Sequence, residues 1–134
     1  MNKRTTKKVA RQIAHQLVQN NGGVVYLRGA MGAGKTTLVG EIVKILSPHA
    51  VTSSPTFTLI NQYTDKIYHA DFYRLWENHT DSVQIVESTG IADLCIPGNY
   101  VFIEWPQNIK LTDIYHLDVT IKVKEDGNRE FIIA

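Results

Sequence analysis

The stretch Gly29-Ala30-Met31-Gly32-Ala33-Gly34-Lys35-Thr36 fits the pattern G-x-x-x-x-G-K-[ST], whose residue types can cradle the phosphates of a nucleoside triphosphate. Gly29, Gly32 and Gly34 lack a Cβ, so the backbone can curl through positive φ and approach phosphate oxygens closely. The N–H groups of the loop, that of Ala33 included, then form an anion-binding nest at the positive end of the following helix. Lys35 is expected to reach the β- and γ-phosphates, Thr36 to offer its hydroxyl to Mg²⁺, and Thr37 to add a phosphate contact.

Mg²⁺ prefers near-octahedral oxygen coordination, so a further oxygen-bearing group is expected beside Thr36. Glu104 fits, because it closes the apolar run Tyr100-Val101-Phe102-Ile103, and open α/β sheets bind ligands at the carboxyl ends of their strands. Asp71 closes Ile67-Tyr68-His69-Ala70 in the same way, and general chemistry does not decide between the two. The polar turn Ser53-Ser54-Pro55-Thr56 suits a sensor of the γ-phosphate or an ordinary entry into a strand. His69 reads as a packed or hydrogen-bonded strand residue. Arg74 suits either a phosphate or an acid in its own helix, and Trp105 suits cover for a base or for the sheet edge.

These residues need strands and helices to position them. Val24-Val25-Tyr26-Leu27 is a short apolar run suited to a strand buried on both faces, directly before the glycine-rich loop. After the loop, Leu38, Val39, Ile42, Val43 and Leu46 recur at helical spacing until Ser47-Pro48 stops them. An earlier helix is expected over Val9, Ala10, Ile13, Ala14, Leu17 and Val18, capped by Thr5 or Thr6 and ended by Asn20-Asn21-Gly22-Gly23. Phe57 to Tyr63 alternates as a strand, and Thr64-Asp65-Lys66 turns it into Ile67–Asp71 as a hairpin. Short helices follow over 72–95, Pro97-Gly98-Asn99 turns, and Tyr100–Ile103 forms a second buried strand. Leu117, Val119, Ile121 and Val123 alternate with polar residues, and Asp126-Gly127 turns them into Phe131-Ile132-Ile133. The expected fold is an α/β, P-loop NTPase-like three-layer domain: a central mixed sheet, flanking helices and a C-terminal β-hairpin.

At 134 residues the chain fits one domain, read over 1–134, with room for one α/β core. Lys+Arg 14 against Asp+Glu 13 gives no basic footprint for gripping nucleic acid by charge alone. Cys95 is the single cysteine, so no internal disulfide forms, and its neighbours Leu94 and Ile96 predict a buried structural thiol. The basic N-terminus has no apolar segment behind it, and no run approaches the roughly 18 apolar residues of a membrane span. A soluble cytoplasmic protein is expected.

In order along the chain stand G-A-M-G-A-G-K-T-T at 29–37, S-P-T-F-T-L at 54–59, Y-H-A-D-F-Y-R-L at 68–75 and I-E-W-P at 103–106. Together they make the chain similar to the bacterial TsaE family, small ATPases needed to make threonylcarbamoyladenosine on tRNA. The resemblance covers essentially the whole chain. It implies an ATP site on the P-loop, Mg²⁺ held by Thr36 and Glu104, and Asp71 near the metal and γ-phosphate as a residue of hydrolysis, alongside Lys35. It further implies that Thr6 and Arg129 help hold the nucleotide. The partner it implies is the TsaD–TsaB complex, which performs the transfer, so tRNA is met only indirectly. One position departs from the family: aspartate usually follows the first P-loop glycine, where Ala30 stands here. Phosphate cradling should survive that change, whereas turnover should feel it.

Two other classes use the same loop. A small-molecule kinase would need an acceptor-binding lid, for which the chain leaves little room, and a non-catalytic module would bind nucleotide only to regulate a partner. A GTPase is disfavoured because no N-K-x-D guanine-reading motif is present. No glutamine or arginine finger is evident near the loop, so hydrolysis is expected to be slow until a partner completes the site.

Overall fold

A computed structural model of the chain describes residues 3–50, 59–78, 81–111 and 114–134. The first helix, α1 (Lys3–Gln19), begins ahead of both Thr5 and Thr6, so neither threonine caps it. Thr6 lies instead on the buried stripe of α1 with Val9, Ala10, Ile13, Ala14 and Leu17, all at helical spacing. Val18 departs from the expected core. One position past Leu17, it is turned about 100° around the helix and stands 59% exposed.

The chain then reverses into β1 (Gly23–Arg28), which is buried along nearly its whole length. Period-two alternation divides its side chains. Val25 and Leu27 meet α1 and α2 (Lys35–Leu46), whereas Val24 and Tyr26 face a second cluster with Phe72, Ile85, Ile91 and Cys95. The remaining elements are β2 (Ile60–Gln62), β3 (Ile67–Asp71), α3 (Leu75–Asn78), α4 (Ser82–Thr89), α5 (Ile91–Leu94), β4 (Tyr100–Glu104), β5 (His116–Val123) and β6 (Arg129–Ile133). They build one six-stranded sheet in the order β2-β3-β4-β1-β5-β6. β1 is parallel to both β4 and β5, and β3 is parallel to β4. The hairpins β2–β3 and β5–β6 add antiparallel edges. The sheet is therefore mixed and covered by helices on both faces, as the sequence predicts.

The expected strand from Phe57 is observed only as Ile60–Gln62, its first residues lying outside those described, as does the turn Ser53-Ser54-Pro55-Thr56. Cys95 is buried, its thiol 3.4 Å from the Ile91 carbonyl, and burial pushes its pKa up to about 11. It is a structural thiol. Among the described residues no helix is long and apolar enough to cross a membrane.

Candidate functional site

The loop between β1 and α2 is shaped by backbone contacts. A Cβ at Gly29 would sit 2.7 Å from the Ile121 carbonyl, closer than a side chain allows, so β5 dictates glycine there. Gly34 precedes α2 with φ 110, a left-handed angle that only glycine takes cheaply. Gly34 at the N-cap has no side chain to cap this end of α2, which leaves its first N–H groups directed out of the helix. Arg129 of β6 clamps the loop from behind. Its Nε donates to the Ala33 carbonyl at 2.9 Å and its Nη2 to the Gly32 carbonyl at 3.2 Å.

Register brings the acids to the same place. Glu104 at the tip of β4 is paired with Leu27 on one side and with Asp71 on the other. Side chains alternate along a strand, so His69 and Asp71 share the α1–α2 face with Ile67, and Glu104 shares it with Phe102. Thr36, in the first turn of α2, stands over that face, its hydroxyl 2.9 Å from Glu104 Oε2 and 3.1 Å from Oε1. A cavity of about 280 Å³ opens here, lined by Gly32, Gly34, Lys35, Thr36, Thr37, Asp71 and Glu104. Met31, Tyr73 and Trp105 complete its wall. A larger cavity of about 570 Å³ lies at the opposite edge, against Val18, Leu46, Ile67 and Tyr100, and contains no residue of the loop.

Of the residues expected from sequence, Thr6 and Arg129 do not line the smaller cavity: Thr6 is buried within α1, and Arg129 acts on loop carbonyls. Ala33 is buried beneath the loop, where its carbonyl receives Arg129. Lys35 is 5% exposed, with Nζ 2.5 Å from the Gly29 carbonyl, 3.4 Å from that of Ala30 and 3.9 Å from the centre of the Trp105 ring. Burial holds this ammonium below the usual lysine range, while the Glu104 and Asp71 carboxylates pull it back up.

Trp105 thus covers the lysine. It adopts φ 58, uncommon for an aromatic residue, directly before Pro106, which disfavours the right-handed helical region for its predecessor. Leu27 accepts its N–H at 3.3 Å, and Trp76 Nε1 donates to its carbonyl at 2.7 Å. Tyr73 packs on its ring at 4.8 Å between centroids. His69 is hydrogen-bonded, as expected: Nε2 lies 2.5 Å from Glu104 Oε2 and Nδ1 lies 3.2 Å from the Tyr63 hydroxyl. Sequence reasoning missed Tyr63 and Tyr73. Tyr63 had a signal, since the hairpin folds it back beside His69 in period-two alternation. Arg74 is exposed in the turn ahead of α3.

The donor set suits a nucleotide-bound cation better than an independent metal centre. Among the described residues no cluster of three or more His, Cys, Asp or Glu side chains could hold an ion alone. A Thr36 hydroxyl that gives its proton to Glu104 keeps its oxygen lone pairs for a cation, and Mg²⁺ commonly takes few protein oxygens plus phosphate and water.

A mixed sheet with parallel central strands, this loop between β1 and α2, and an acid at the tip of the adjacent strand define a P-loop-like α/β protein. The model of the family described as "Threonylcarbamoyl adenosine biosynthesis protein TsaE" matches residues 1–131, and the chain belongs to the TsaE family. That family takes part in the biosynthesis of threonylcarbamoyladenosine on tRNA. The chain is 39% identical over 113 residues to the Nostoc sp. tRNA threonylcarbamoyladenosine biosynthesis protein TsaE, covering 81% of this chain and 68% of that one. It is 36% identical over 118 residues to the Treponema pallidum protein of the same name, covering 84% and 82%. The crystal structure of Bacillus subtilis YdiB superposes with a TM-score of 0.70 at 27% identity, covering 98% of this chain and 78% of that one.

Proposed function

We propose that the chain is a Mg²⁺-dependent ATPase that serves tRNA threonylcarbamoyladenosine modification by acting on the TsaD–TsaB transferase complex. The observation that carries this reading is the convergence of Thr36 and Glu104, 2.9 Å apart, at the mouth of the P-loop cavity. The loop N–H groups and the end of α2 would bind the phosphates. Lys35 would leave the loop carbonyls for the β- and γ-oxygens by turning its flexible stem, with Trp105 shielding it from solvent. Thr36 and Glu104 would hold Mg²⁺, which would neutralise charge developing on the phosphoryl group. Asp71, opposite Glu104 in the sheet and lining the cavity, would orient water or ligate through it.

Among the described residues no arginine lines the cavity at the loop. Arg129 spends its donors on Gly32, Ala33 and Gly127 carbonyls, which supports slow turnover until a partner docks. The near balance of charge, 14 basic against 13 acidic residues, supports an indirect encounter with tRNA through that complex. The test is ATP hydrolysis with Mg²⁺, measured for the chain alone and with purified TsaD–TsaB, with Lys35→Ala as the control. Stimulation by the complex that vanishes in the variant is the expected result. Equal rates with and without the complex would remove the partner-activated role, and tight ATP binding without turnover in either case would leave a nucleotide-gated module.

A further inference from the structure

His69 is not needed by the scheme above, yet it is one of the few polar side chains buried in the molecule, 9% exposed, and it touches the carboxylate on which that scheme depends. Here both ring nitrogens are engaged by side chains of opposite role. Glu104 Oε2 accepts from Nε2 at 2.5 Å, and the Tyr63 hydroxyl lies 3.2 Å from Nδ1. Burial and the nearby Glu104 charge hold the Tyr63 phenol above its ordinary range, which keeps its proton on oxygen and available to Nδ1. A tyrosine that donates to Nδ1 fixes the tautomer with hydrogen on Nε2, the nitrogen facing Glu104. The two rings are nearly parallel, 9° apart at 6.3 Å, so the imidazole plane is held by packing as well.

The consequence falls on Glu104. Its Oε2 is claimed by His69 and Thr36, whereas Oε1 meets only the Thr36 hydroxyl at 3.1 Å among the described residues. A long carboxylate side chain samples several rotamers unless it is held. We propose that His69, itself aligned by Tyr63, is a positioning residue that aims Glu104, so that the Thr36 proton points to the carboxylate and the Thr36 lone pairs point to the cation. Groups that orient metal-associated carboxylates in this way typically contribute a 10–100-fold range in metal affinity or activity. The inference rests on the Mg²⁺–nucleotide reading of the site.

The test is equilibrium binding of N-methylanthraniloyl-ADP to the full chain across a Mg²⁺ titration, and again in EDTA. His69→Leu is expected to raise the Mg²⁺ concentration for half-maximal binding by about tenfold, while affinity in EDTA stays within about twofold of wild type. His69→Gln, whose amide can still donate to Oε2, is expected to recover most of that shift. Tyr63→Phe keeps the ring but frees Nδ1, and should raise the Mg²⁺ midpoint by about threefold, a step smaller than full loss of the orienting group. An unchanged midpoint in His69→Leu, or an equal loss of binding with and without Mg²⁺, overturns the positioning role. If His69→Leu does not fold, Tyr63→Phe decides in the same way, and an unshifted midpoint there overturns it. Wild-type binding that is indifferent to Mg²⁺ would instead overturn the metal–nucleotide reading on which the role depends.

Discussion

The two halves of the candidate site are made differently. The phosphate half is a contiguous segment, Gly29 to Thr37, whose working groups are backbone N–H groups and one lysine. The carboxylate half is assembled from β2–β3, β4 and α2, and its working groups are side chains whose sequence positions lie far apart: Thr36 and Glu104 are separated by 68 positions, and His69 and Glu104 by 35. The first half depends chiefly on backbone geometry that glycine permits and on one lysine. The second depends on strand register, because a slip of one residue would turn Glu104, Asp71 and His69 to the other face of the sheet.

Substitutions can break this comparison or sharpen it. Lys35→Ala should have the largest effect, lowering partner-stimulated hydrolysis about 1000-fold, as loss of a preorganised charge on a transferring group does. The far-ultraviolet circular dichroism spectrum should be unchanged. On the carboxylate side Glu104→Gln should lower hydrolysis about 100-fold and weaken its dependence on Mg²⁺. Glu104→Ala is the poorer probe. It leaves the buried His69 Nε2 without its acceptor and should destabilise the fold by about 1–3 kcal/mol in chemical denaturation. If Lys35→Ala destabilised the fold as much, the contrast between the halves would fail.

A pH titration separates the site from the core beneath it. The Cys95 thiol has a folded pKa of about 11 against 9.0, so the folded state holds its proton longer than the unfolded chain does. Its contribution to stability is fully present below pH 9.0 and is lost as pH rises towards about 11. Urea denaturation across that range should show a decline of about 2 kcal/mol, absent in Cys95→Ala, with nucleotide binding unaltered by the substitution. Arg129→Ala comes next: freeing the Gly32 and Ala33 carbonyls should weaken nucleotide binding about tenfold, with Lys as a poor substitute for the forked guanidinium. Ala30→Asp should be the mildest. The Ala30 carbonyl, not its side chain, bonds Ala33 and Lys35, so nucleotide binding should hold while hydrolysis rises only slightly, measured beside the wild type under the same conditions.

The same division explains what could be read from sequence. The loop, β1 and α2 were legible because their signals are local: spacing of glycines, a short apolar run and a helical repeat that stops at Ser47. Glu104 and Asp71 could be placed at strand ends, but their pairing and their common face needed the β3–β4 register. The position of Thr6 inside α1 was not legible, since a threonine near a helix start reads as a cap before the true first turn is known. Lys35 against Trp105 was not legible either. It depends on the left-handed turn at Trp105, and nothing in the tetrapeptide I-E-W-P specifies where the indole will lie.

The clamp by Arg129 bears on the order in which the molecule comes into being. β1 lies between β4 and β5, and the loop that leaves it is gripped from β6, so in an emerging polypeptide the Gly32 and Ala33 carbonyls find their partner only once residue 129 has left the ribosome. The motif is translated early, but the side chain that braces it follows 96 positions after Ala33, so the loop's final shape waits on a distant part of the chain.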